Sequence, residues 1–170
     1  VKVVESLSEQ QVIMVPDRNL AGYVARFTTK EILPWDGFCL VHERFTRKDI
    51  QTARSRHPGA EVLVHPECRP EVIDAADQVF STSGMIRHIC GSKNEKFIIG
   101  TETGILHQIS LKCPEKHCYP LSSRAICVNM KKTDLEKVHA ALDRMAPRVG
   151  VPERIAIPAR RAIERMLALP

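Results

Sequence analysis

Paired cysteines, aromatic residues and long apolar runs are what this sequence has least of. Six Cys occur, at 39, 68, 90, 113, 118 and 127, yet no two form a Cys-x-x-Cys pair, so zinc-ribbon spacing is absent. Aromatic residues are 5% of 170, and none lies in segment 131–170, where 9 Lys+Arg stand against 5 Asp+Glu. A nucleic-acid groove interleaves basic and aromatic side chains. The basicity here reads as a solvated helix face instead, and nucleic acid is not an expected partner. No apolar stretch nears the roughly 20 residues that span a bilayer. The opening VKVVESLSEQ has neither the basic n-region nor the apolar h-region of a secretory leader. No membrane association is expected, and a cytoplasmic location is. Disulfides belong to secreted chains, so the six cysteines read as isolated thiols that the fold brings together. The first residue is Val, and the sequence is read as a processed chain or a piece of something longer.

What is present is an alternation of short apolar runs and helical patterns. VIMV (12–15) reads as a buried strand, followed by PDRN and a helix from about Leu20 that Asp17 and Asn19 are placed to cap. GFCLVH (37–42) reads as a second strand or strand end. Thr46 suits an N-cap for a helix carrying Ile50 and Ala53 inward and stopping near Pro58-Gly59. VLV (62–64) is a strand, HPEC a turn, and Pro70 the first residue of a helix over PEVIDAADQ. Val79-Phe80 before STSG, and FII (97–99) before GTETG and a helix over 105–111, repeat the scheme. Beyond Met130, TDLE (133–136) reads as a capping box that starts a helix with Leu135, Val138 and Leu142 on one face. A last helix is expected from Pro158.

Strand–loop–helix repetition implies parallel sheets covered by helices, an α/β fold. In such folds ligands sit beyond the carboxyl ends of the strands. PDRN, HPEC, STSG and GTETG all fall there, and together they form one candidate site.

Taken in order, VPDRNLAGYV (15–24), WDGFCLVHERF (35–45), VLVHPEC (62–68), STSGM (81–85), FIIGTETGILHQI (97–109) and AICVNMKKTDLEKV (125–138) resemble the quinolinate synthases, the iron-sulfur enzymes of NAD biosynthesis. The resemblance runs the length of the chain. It implies three-layer parallel-sheet domains in a pseudo-threefold arrangement, each giving one cysteine to a [4Fe-4S] cluster. Cys39 and Cys127 match two of those ligands; the third, with the first domain, would lie upstream. The implied organisation is the end of a second domain (1–42), a third domain (43–130) and C-terminal helices (131–170) that would pack on the missing N-terminal domain. The implied reaction is a transferase-type condensation of iminoaspartate with dihydroxyacetone phosphate to quinolinate. L-aspartate oxidase is then the upstream partner.

Read from the residues, both cysteines stand at apolar strand ends, and a lone buried cysteine there is equally a small hydrophobe. His65 and Glu67 flank the rigid Pro66 and suit acid/base transfer toward one ligand; packing and capping roles are the alternative. Ser81 and Thr82 open a helix where hydroxyls and amides suit a carboxylate or phosphate, or form an ordinary cap. His42 stands near Cys39 as a neighbour of the cluster, and Glu102 orients a bound group or closes a turn. Cys68, Cys90, Cys113 and Cys118 are read as structural. Two rival readings are a catalytically incomplete fragment that works only with an N-terminal half, and a zinc domain using Cys113, Cys118 and Cys127.

Overall fold

The computed structural model describes residues 1–169. In chain order the elements are α1 (Lys2–Ser6), β1 (Gln11–Met14), α2 (Arg18–Ala25), β2 (Glu31–Pro34), α3 (Leu40–Glu43), α4 (Arg47–Arg56), β3 (Glu61–Val64), α5 (Pro70–Ile73), β4 (Gln78–Val79), α6 (Thr82–Gly91), β5 (Lys96–Gly100), α7 (Gly104–Lys112), β6 (His117–Pro120), α8 (Leu135–Arg144) and α9 (Glu153–Leu167). Residues 10–127 form one compact unit; residues 1–9 and the segment from Val128 form another.

The larger unit holds two parallel sheets. One pairs β1 with β2 through α2, and the other runs in the order β4-β3-β5-β6. Strands β3 and β5 are apolar on both faces because helices cover both. Val62, Val64 and Ile98 pack with Ile50 and Ala53 of α4 and Val72 of α5 on one side. Leu63, Phe97 and Ile99 pack with Met85 and Ile89 of α6 and Ile105 and Ile109 of α7 on the other. This is a helix–sheet–helix sandwich, the α/β class expected. Gly100 closes β5 beside β3, where a Cβ would stand 2.7 Å from Val64 Cγ1.

Local chemistry sets the element ends. Asp17 caps α2 by accepting from Leu20 N, and Thr46 with Asp49 forms a complete capping box on α4. Pro70 is the first residue of α5, a short helix that stops at Ile73. The Asp77 carboxylate then accepts from Val62 N and Arg54, which turns the chain into β4.

Several expectations need correction. GFCLVH holds no strand: the strand is upstream, at β2, and Cys39 is the N-cap of α3. A four-residue apolar run fits either periodicity, and tertiary contacts choose the helix. Neither thiol therefore stands at a strand end, since Cys127 lies in the loop beyond β6. Strand β6 itself, HCYP, carries too little apolar pattern to read. In the second unit the cap of α8 is Asp134, not Thr133: its carboxylate accepts from Lys137 N at 2.8 Å and pairs with the Lys137 ammonium. Helix α9 starts five residues before Pro158, which lies inside it, because Pro152 O accepts from both Ile155 N and Ala156 N. The cost is one missing backbone hydrogen bond in the helix. Cys90 and Cys113 are joined as a disulfide, with Cα atoms 5.5 Å apart, where the end of α6 meets the end of α7.

Helices α8 and α9 contain no buried residue; Leu135 is 82% exposed and Leu167 74%. No helix among the described residues is long and apolar enough to cross a membrane.

Candidate active site

The loops after β1, β2, β3 and β5 converge at the carboxyl ends of the strands. Gly37 makes the first approach possible: its carbonyl accepts from Arg18 N at 2.9 Å, and a Cβ would stand 2.3 Å from Pro16 O. The adjacent Trp35 remains 61% exposed.

His42 is the centre of the cluster. It is buried on α3, with Nδ1 2.8 Å from Glu67 Oε2 and Nε2 2.8 Å from Thr101 Oγ1. Its ring stacks on His65 at 4.4 Å, the planes 7° apart. Burial alone would lower the His42 pKa, but hydrogen bonds and charge from Cys39 and Glu67 outweigh it and raise it to about 9. The protonated ring then donates to both Glu67 and Thr101. The same contact with His42 lowers the Cys39 thiol pKa and, as the largest cause, that of the Glu67 carboxyl.

His65 has the opposite character. Burial, followed by the charge of His42, pushes it down to about 4, and its Nδ1 accepts from Glu67 N at 3.3 Å. It is a neutral imidazole beside a cationic one. The turn carrying His65 and Glu67 is held from both ends: His65 N donates to Gly100 O, and Asn19 Nδ2 donates to Glu67 O at 3.1 Å. Asn19 is thus no cap of α2; its side chain reaches across to the HPEC turn and to Glu43.

Sulfur, imidazole and carboxylate from Cys39, His42 and Glu67 all lie within 4.8 Å of one another. Cys127 is half-buried and packs against the same apolar cluster as Cys39. Both cysteine amides end on carboxylates: Cys39 N donates to Asp17 Oδ2 at 2.8 Å and Cys127 N to Glu102 Oε1 at 3.4 Å. The remaining cysteines are otherwise engaged. Burial pushes Cys68 up to about 12, and its Sγ faces Gly100 O; burial pushes Cys118 up to about 11. Cys113, Cys118 and Cys127 do not gather as a set of possible metal ligands; among the described residues the group that does is Cys39, His42 and Glu67. Cys39 and Cys127 are half-buried free thiols.

Ser81 caps α6 through its hydroxyl, which accepts from Gly84 N at 3.3 Å, and Thr82 is the first residue of that helix; both are exposed. Phe80 N donates to Val64 O, so the pair stands at the same rim as His65. The structure brings His65, Glu67, His42 and Cys39 together and sets Ser81 and Thr82 on the margin. Thr101 was not anticipated. Its one signal is position, the first polar residue after an unbroken apolar strand.

A three-layer parallel sheet with thiol, imidazole and carboxylate groups gathered at its carboxyl rim defines an α/β protein with a polar, sulfur-bearing site. The sequence profile of the family described as Quinolinate synthetase A protein matches residues 1–168, and the chain belongs to that family. It is 61% identical over 169 residues to a quinolinate synthase of Methanoregula boonei, covering 99% of this chain and 56% of that protein. It is 49% identical over 170 residues to one from Desulforudis audaxviator and 47% identical over 170 residues to one from Geobacter sp. strain M21. These matches cover 99% and 100% of this chain and 56% of each relative, so the chain spans about half the length of the relatives it matches.

Proposed function

We propose that this chain is part of a quinolinate synthase that condenses iminoaspartate with dihydroxyacetone phosphate, with loss of phosphate and water, to give quinolinate for NAD biosynthesis. The supporting observation is the gathering of Cys39, His42, His65 and Glu67 at one rim in a member of this family. Cys39 and Cys127 would hold a [4Fe-4S] cluster, with a further thiolate from outside these 170 residues. When bound, such a cluster supplies an iron with an open coordination position, a Lewis acid.

The chain's own residues handle protons and anions. His65, neutral through burial and with Nδ1 accepting from Glu67 N, carries its ring proton on Nε2 and donates a hydrogen bond from there to a substrate oxygen during imine formation and enolisation. Glu67 stays ionised because His42 donates to it, and so orients the cationic or hydroxylic parts of the substrate. Ser81 and Thr82, with the amides that open α6, hold a carboxylate or the phosphate. Domain limits at 42 and 130, α8 and α9 packing on an N-terminal domain, a cytoplasmic location and supply of iminoaspartate by L-aspartate oxidase complete the reading.

The test is anaerobic reconstitution of the natural polypeptide with iron and sulfide, followed by iron analysis and quinolinate detection by mass spectrometry. Cys39→Ala and Cys127→Ala are each expected to abolish cluster binding, and Cys68→Ala to retain it. Unchanged iron in the first two removes the ligand assignment. The same assay on the 170 residues alone separates a self-sufficient enzyme from an incomplete one.

A further inference from the structure

We propose that Asp17 and Glu102 are positioning residues for the two cysteines, each tying a helix N-terminus to the backbone amide beside a sulfur. The proposal rests on the reading of Cys39 and Cys127 as iron ligands. The two carboxylates share one arrangement. Asp17, 2% exposed, accepts from Leu20 N of α2 through Oδ1 and from Cys39 N through Oδ2, both at 2.8 Å. Glu102, 9% exposed, accepts from Gly104 N of α7 through Oε2 at 2.7 Å and from Cys127 N through Oε1 at 3.4 Å. Each links a cysteine amide to a residue more than twenty positions upstream and so ties the cysteine loop to a helix start.

Cysteine has one side-chain torsion before its sulfur. Fixing the amide therefore restricts Sγ to three staggered positions. Two N–H donors converge on each carboxylate, and only an acceptor at both oxygens serves them; an amide would turn its NH2 against one donor. Burial removes water as a substitute partner. Negative charge near a thiolate is an electrostatic cost, so what these carboxylates contribute is placement.

In the natural polypeptide reconstituted anaerobically with iron and sulfide, iron release to a chelator and the electron paramagnetic resonance signal of the reduced protein are recorded. Asp17→Asn and Glu102→Gln are expected to bind iron, release it about tenfold faster than the unmodified protein, and show an altered signal. Thr46→Ala removes a comparable helix cap on α4 away from both sulfurs, and its release is expected to stay at the unmodified rate. Unmodified release and signal in both carboxylate variants overturn the proposal, as does equally fast release in Thr46→Ala. If circular dichroism shows that Asp17→Asn does not fold, Glu102→Gln decides alone. Full iron in Cys39→Ala and Cys127→Ala would instead bring down the underlying ligand reading. Iron lost there but held normally in the carboxylate variants removes only the positioning role.

Discussion

At the scale of single residues, His42 shows how much one ring can organise. It answers Glu67 and Thr101 with its two nitrogens and covers His65 with its face. Replacing it with Leu keeps the bulk but leaves a half-buried carboxylate and a buried hydroxyl without their partner. His42→Leu is expected to lower stability by about 2–3 kcal/mol, read as a fall in the urea midpoint at constant slope. The i to i+3 spacing from Cys39 to His42 was legible in the sequence, as were His65 and Glu67 around Pro66. The bonds from His42 to residues 25 and 59 positions away were not, because no local pattern encodes them. Among the thiols, Cys68 is buried and held protonated, so iodoacetamide on the metal-free chain at neutral pH is expected to label Cys39 and Cys127 while Cys68 reacts only on unfolding. Early labelling of Cys68 by mass spectrometry would contradict its place in the core.

Asp77 gives a pH test. Burial opposes its ionisation, but Arg54 and Val62 N outweigh burial and lower the folded pKa. A carboxyl depressed on folding contributes stability above its unfolded pKa and loses it as pH falls through the folded value. Partial exposure limits this contribution to about 1 kcal/mol or less. Asp77→Asn is therefore expected to flatten the acid side of the stability profile below about pH 4, while the Arg54 contact is lost at every pH.

At the scale of elements, what the sequence revealed followed burial. Strands β3 and β5 were legible because both faces are covered and VLV and FII leave no polar gap. The cap at Thr46 and the proline opening α5 were legible because those signals are local. Strand β6 was not, since HCYP is ordered by its neighbour β5 and not by its own pattern. Helix α3 was missed because Asp17, far upstream, turns the chain at Cys39. Gly37 is the matching weak point. A methyl group there meets Pro16 O, so Gly37→Ala is expected to cost about 1–3 kcal/mol and to shift the Cys39 loop. Differential scanning calorimetry measures the first, and amide chemical shifts around Cys39 the second.

At the scale of the whole chain, stability is unevenly spread. Strands β3 and β5 are enclosed by two apolar clusters, whereas α8 and α9 bury none of their side chains. Hydrogen exchange on the 170-residue chain is expected to show the slowest amides in β3 and β5, and exchange near the random-coil rate in α8 and α9. Protection of α8 equal to that of β5 would contradict this order.

The single tryptophan gives the molecule an optical gauge of its own. Trp35 stands largely in water next to the glycine that lets the first two rim loops touch. Its emission reports the wetness of that one corner without any label. A ligand or polypeptide that covers Trp35 and excludes water from its indole is expected to move the emission toward shorter wavelength, and a titration followed there then yields its affinity.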